Sequence, residues 1–211
     1  SIRGRSTSRS GAQRSMERLR QIEVIGLIVT TLVVVPSSSA ARDQGPAGRI
    51  NGLVKRLHAE DLKSAREAAH ALAKMGDAAM GPLAKLLSSK NERVRVLAIG
   101  SLAEMASPRV IPLLIKALLD PSLKGKKKFS RVVAAKALAN MGDMATPAIP
   151  ALVKCLADST KLVRWAAAEA LSKLGPKGMA ALRHALTSRN VFVRRGGAIG
   201  LHLAGPKAVA A

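Results

Sequence analysis

Aromatic residues are almost missing from this 211-residue chain: there is no Tyr, and it has two Phe and one Trp. β-Sandwiches and barrels face their cores with aromatic and β-branched side chains, so this poverty argues against them. It also argues against a single-strand nucleic-acid platform, which stacks bases on several rings. The one cysteine, Cys155, excludes an intramolecular disulfide and a cysteine metal cluster. Acids are scarce as well, 13 against 35 Lys and Arg. No paired carboxylates and no serine nucleophile motif appear. The histidines His58, His70, His184 and His202 stand beside neither a Glu nor another His in the sequence. Nothing here assembles a catalytic or metal-binding constellation. A long hydrophobic run is missing too. The best stretch, Val24 to Val35, is 12 residues broken by Gly26, Thr30 and Thr31, where a spanning helix needs about 20.

What is present is Ala, Leu and Val, which carry an apolar content of 48%. Ala and Leu favour helices, and small side chains let helices approach closely. The net charge is +22, and residues 42–211 alone hold 29 bases against 11 acids. Such a field attracts nucleic acid, anionic membrane surfaces or acidic proteins without discriminating among them.

The N-terminal region reads as an address. Residues 1–15 are a Ser-, Arg- and Gly-rich leader or upstream translation. Residues 16–41 run from Met16 through Glu-Arg-Leu-Arg to the apolar stretch, then Pro36, three serines, Ala40 and Ala41. A basic start, a short apolar core and small residues for cleavage are the layout of a signal peptide, or of a short membrane anchor if uncleaved. This predicts an exported, periplasmic or extracellular protein. Residues 42–48 read as a linker.

Self-similarity organises the rest. Leu72-Ala-Lys-Met-Gly76 recurs as Leu102-Ala-Glu-Met-Ala106, Leu138-Ala-Asn-Met-Gly142, Leu171-Ser-Lys-Leu-Gly175 and Leu201-His-Leu-Ala-Gly205, at spacings of 30, 36, 33 and 30 residues. Seven residues before four of these leucines stands an arginine: Arg95, Arg131, Arg164 and Arg194. In the first unit that position is Ala65. Each unit holds two apolar stripes of helical period, for example Ile149, Leu152, Val153 and Leu156, then Val163, Ala166, Ala167, Ala170, Leu171 and Leu174. Glycine closes the second helix and proline often follows. One pair cannot bury its own apolar faces, so the pairs must stack. Gly205-Pro-Lys-Ala-Val-Ala-Ala211 copies Gly175-Pro-Lys-Gly-Met-Ala-Ala181, which predicts a sixth unit begun at the end of a longer array.

Pro82, Pro112 and Pro150 in the first helices, the turn acids Asp120 and Asp158, the Val-Arg pairs and cores such as Ala168-Glu-Ala-Leu171 together resemble the HEAT-repeat family, including its bacterial branch named after phycobilisome lyases. The resemblance covers residues 49–211. It implies an all-α fold: a right-handed α-solenoid of about five stacked antiparallel helix pairs, with the second helices on the concave side. It also implies a structural ladder in which Arg95, Arg131, Arg164 and Arg194 pair with turn acids such as Asp120 and Asp158. The resemblance is nearly silent on activity, since the family spans scaffolds, adaptors, lyases and a few enzymes; the expected function is a non-catalytic scaffold for a protein partner, with no cofactor, no metal and no small-molecule substrate. Two alternatives remain: electrostatic binding of nucleic acid or another polyanion, and lyase-like chromophore attachment. Candidate partner-binding residues are Lys124, Lys126, Lys127 and Lys128 in an insertion of the third unit, and Arg194 with Arg195. Gly196, Gly197 and Gly200 fit close helix packing better than a phosphate loop, and Cys155 reads as a buried, inert thiol. Trp165, flanked by core alanines, reads as a packing residue.

Overall fold

The computed structural model describes residues 45–122 and 129–205. They form five helix pairs: α1 (Pro46–Leu57) with α2 (Leu62–Lys74), α3 (Asp77–Leu86) with α4 (Glu92–Glu104), α5 (Ile111–Leu119) with α6 (Phe129–Asn140), α7 (Ile149–Cys155) with α8 (Lys161–Lys173), and α9 (Gly175–Ala185) with α10 (Val191–Ala204). No strand occurs among the described residues. The expectations on residues 1–41, on Lys124, Lys126, Lys127 and Lys128, and on the sixth unit beyond Gly205 lie outside the described residues.

Local chemistry sets the helix ends. Pro46 takes the first position of α1, where the missing N–H costs nothing, so the array begins inside the stretch read as a linker. Asp61, Asn91 and Asn190 cap α2, α4 and α10 through side-chain oxygens that accept from backbone N–H groups. The Ser64 N–H, and then the Lys63 N–H, hold the Asp61 carboxyl below the usual carboxylate range. Pro112 and Pro150 stand second in α5 and α7, and a 3-10 segment precedes each helix, Pro108–Val110 and Gly142–Ala148. Gly76, Gly142, Gly175 and Gly205 follow α2, α6, α8 and α10 with φ of +57°, +55°, +62° and +63°. In the second unit the same position is Ala106, also left-handed at φ +48°, a conformation that strains a side-chain-bearing residue.

Packing makes two layers. The second helices α2, α4, α6, α8 and α10 stack in chain order, and the first helices pack α1 on α3, α5 on α7 and α7 on α9. The protein is an α-solenoid. Its core is mainly Leu and Ala: Leu72, Leu102, Leu138 and Leu171, four of the five repeat anchors, are fully buried, and Leu201 is half-buried. Small residues at the inter-helix positions allow this spacing. Ser101, buried between α4 and α2, donates to Ala69 O at 2.8 Å and to Leu97 O at 3.0 Å. At the C-terminal end the approach is closer still. A Cβ on Gly196 would press on Leu156, one on Gly197 on the Leu182 carbonyl, and one on Gly200 on the Leu182 side chain and the Ala168 carbonyl. Tight packing, with no phosphate loop, is what these glycines serve.

Candidate interaction surfaces

The four aligned arginines do one common thing: each donates to carbonyls of its own unit's turn. Arg95 reaches Ser89 O, Arg131 reaches Leu118 O at 2.7 Å, Arg164 reaches Asp158 O at 2.7 Å, and Arg194 reaches Ser188 O at 2.8 Å. Leu118 O is one of the orphan carbonyls of a helix's last turn, and Ser89, Asp158 and Ser188 lie in the inter-helix turn just beyond it. Three of the arginines also cross to the next unit. Arg95 Nε donates to Ser130 Oγ at 3.1 Å. Arg131 lies 2.7 Å from Asp158 Oδ2, although its N–H is out of line with that oxygen, so the contact is an ion pair more than a hydrogen bond. The Arg164 guanidinium sits 4.7 Å above the Phe192 ring. Glu92 ties the same junctions from the other side, accepting from the Phe129 and Ser130 N–H groups at the start of α6.

The carboxylate ladder implied by the resemblance therefore reduces to one rung, Arg131–Asp158. Asp120 departs from it: its Oδ1 accepts from Ser122 N at 2.8 Å, and no arginine among the described residues pairs with it. Asp120 serves its own backbone, as Asp158 also does by accepting from Thr160 N at 2.8 Å. The first unit, lacking the arginine, is served by the second. Arg93 donates to Ala59 O, and to Glu60 O at 3.0 Å.

Burial grades along the row. Arg95 and Arg131 are 1% and 5% exposed, Arg164 is intermediate, and Arg194 is exposed. Cys155 is buried beside Arg131, whose Nη2 is 3.9 Å from Sγ. Burial pushes the Cys155 thiol up, opposed by the nearby Arg131 charge. Thiolate chemistry is disfavoured there.

Among the candidate partner-binding residues, Arg194 and Arg195 are exposed on α10. Trp165 corrects its expectation. It is 45% exposed, while Ala166, Ala167 and Ala168 beside it fill the core. Phe192 and Leu203 on α10 are exposed as well. The sequence signal for this patch is weak, since apolar exposure on a helix shows only once the neighbours are placed. His70 offers a second example. It lies against Glu104 of the adjacent second helix, a pair that no spacing within one unit could show. No group of three or more His, Cys, Asp or Glu that could hold a metal ion occurs among the described residues.

A family model described as HEAT repeats matches residues 50–126 and 123–201. The chain is a HEAT-repeat protein. No curated protein matches it. Among solved structures, the complex of CpcE and CpcF of phycocyanin lyase from Nostoc sp. PCC7120 is similar at 23% identity and a TM-score of 0.55, over 73% of this chain and 98% of that one. At that identity the likeness speaks to the HEAT solenoid fold alone. An engineered protein (24% identity, TM-score 0.42, 90% of this chain and 60% of that one) and human deoxyhypusine hydroxylase (20% identity, TM-score 0.31, 92% and 99%) are too distant in shape to add to it.

Proposed function

We propose that this HEAT solenoid is a non-catalytic scaffold that docks a protein partner on the second-helix face of its last two units. The observation that carries this reading is the exposure of Trp165 and Phe192, two of the three aromatic residues in the chain. A sequence this poor in aromatics places most of them outside its own core, with Arg195 and Leu203 on the same helix as Phe192. Trp and Arg are the residues most enriched at interface hot spots, where a few anchors dominate binding.

The test is a photo-reactive amino acid in place of Trp165, with Met144, exposed elsewhere in the array, as the control position. A discrete adduct at position 165, not at 144, lost when Phe192→Ala is added, is the expected result. No adduct at either position would sink the reading. Lyase-like chromophore attachment is the competing activity, and a covalent product after incubation with a bilin would replace the scaffold reading. Export rests on the layout of residues 16–41, and N-terminal sequencing of the mature protein from its native cell tests it: a start near residue 41 or 42 is expected, and a chain retaining Met16 in a soluble fraction would refute it.

A further inference from the structure

The first-helix layer is interrupted. α1 packs on α3, α5 on α7 and α7 on α9, but α3 and α5 make no comparable contact. The second and third units are joined instead through α4, which packs on α6 and, more lightly, on α5. The segments leading into the first helices account for the difference. Before α7, the seven-residue 3-10 segment Gly142–Ala148 packs against α5, α6, α7 and α9, filling the layer on both sides of the fourth unit. Before α5, the segment Pro108–Val110 is three residues long and packs chiefly on α5. The link from α4 into that short segment runs through Ala106, left-handed at φ +48° where the other units place glycine, so the connection carries strain.

The polar ties show the same gap. Between the third and fourth units a carboxylate crosses the boundary, with Asp158 2.7 Å from Arg131. Between the second and third, buried Arg95 meets across the boundary only the neutral Ser130, at 3.1 Å. Its near carboxylate, Glu92 at 3.9 Å, belongs to its own helix. Glu92 accepts from the Phe129 and Ser130 N–H groups, so these ties gather where α4 and α6 begin. The first-helix layer is crossed at this junction by one ion pair among the described residues, Asp77 with Arg109 at 2.5 Å, whose side chains are 62% and 72% exposed. So exposed a pair contributes little and yields to salt. Two packed blocks that share one side and meet on the other through a single surface pair can rotate about the shared side. We infer that the array bends between its second and third units: the α4–α6 contact is the pivot, α3 parts from α5, and Asp77–Arg109 is the latch. Units one and two then move as one body and units three to five as another. The second-helix face of the first body turns relative to that of the second, which adjusts the span the array offers a partner. This holds whether or not Trp165 marks the docking face.

The experiment measures distances between paired spin labels on the full chain by double electron–electron resonance. Lys55, Lys85 and Lys116 are exposed and share one register position, two residues before Leu57, Leu87 and Leu118. K85C/K116C therefore spans the junction of the second and third units, and K55C/K85C spans that of the first and second in matched geometry. Cys155 is buried, and the parent treated with the same reagent checks that it stays unlabelled. K85C/K116C should give a broader distance distribution than K55C/K85C. Arg109→Gln, or raised salt, should shift the K85C/K116C distribution to longer distances and leave K55C/K85C where it was. A K85C/K116C distribution as narrow as that of K55C/K85C, and unmoved by Arg109→Gln, would overturn the inference. So would an equal shift of both pairs, which would mean that the whole array loosens and does not bend at one place.

Discussion

Two junctions built from the same repeat behave differently. Between the third and fourth units, Arg131 is sealed between Leu118 O, Asp158 and Cys155. At the end of the fifth unit, Arg194 holds the same turn carbonyls but lies in solvent. Leucines show the same contrast: Leu87 and Leu156 are 5% and 0% exposed, while Leu186, their counterpart, is 42% exposed. Among the described residues, one sequence grammar thus yields a buried arginine between the third and fourth units and an exposed one in the fifth. Register identity does not fix a residue's role in a solenoid, because half of each residue's environment belongs to the next repeat.

The sharpest way to break this comparison is to remove its buried partner. Asp158→Ala leaves Arg131 as a buried charge without its carboxylate and should cost about 3–5 kcal/mol, read as a fall in the urea midpoint. A loss under about 1 kcal/mol would mean that the Leu118 carbonyl alone holds the guanidinium. Gly200→Ala comes next, because its Cβ meets Leu182 and the Ala168 carbonyl; overpacking of this kind costs about 1–3 kcal/mol. Gly100→Ala is its opposite. That glycine lies inside α4 with open space at its Cβ position, so the substitution should stabilise by up to about 1 kcal/mol. Ala106→Gly relieves the left-handed alanine and should also add about 1 kcal/mol in thermal or urea unfolding. Arg194→Ala, at the exposed end of the row, should shift stability by no more than about 0.5 kcal/mol; a loss as large as that for Asp158→Ala would erase the distinction between the junctions.

Cys155 reports on the same interior. Its thiol is raised above the ordinary value of 9.0 by burial, so the folded state holds its proton more tightly than the unfolded chain does. Stability is then unaffected by this group below pH 9 and declines as the pH rises beyond it. At neutral pH, labelling by a thiol reagent should follow global unfolding. Rapid labelling in native buffer would show that the Arg131–Cys155 junction opens locally.

The repeat was readable because five anchor leucines keep phase and four glycines mark the helix ends, both properties of single positions. The helix pairs, the buried stripe of the fourth unit and the packing role of Gly196, Gly197 and Gly200 follow from that. What sequence could not show is what depends on contact between units. Asp120 and Asp158 look alike in the sequence and both accept from the backbone two residues on, yet among the described residues only Asp158 meets an arginine. Trp165 looks like a core residue among alanines, yet three alanines around it fill the core and the indole is left outside.

The borrowed arginine of the first unit has a consequence for the order in which the array assembles. Each later turn carries its own clasp, but the turn between α1 and α2 is closed by Arg93 from the following helix pair. The first pair ties itself internally, Arg56 donating to Ser64 Oγ and Glu67, but the capping of the Ala59 and Glu60 carbonyls cannot be completed as the chain leaves the ribosome. It waits until α4 has been made and set down beside it, so the N-terminal end of the array, although synthesised earliest, is finished by a residue that arrives later.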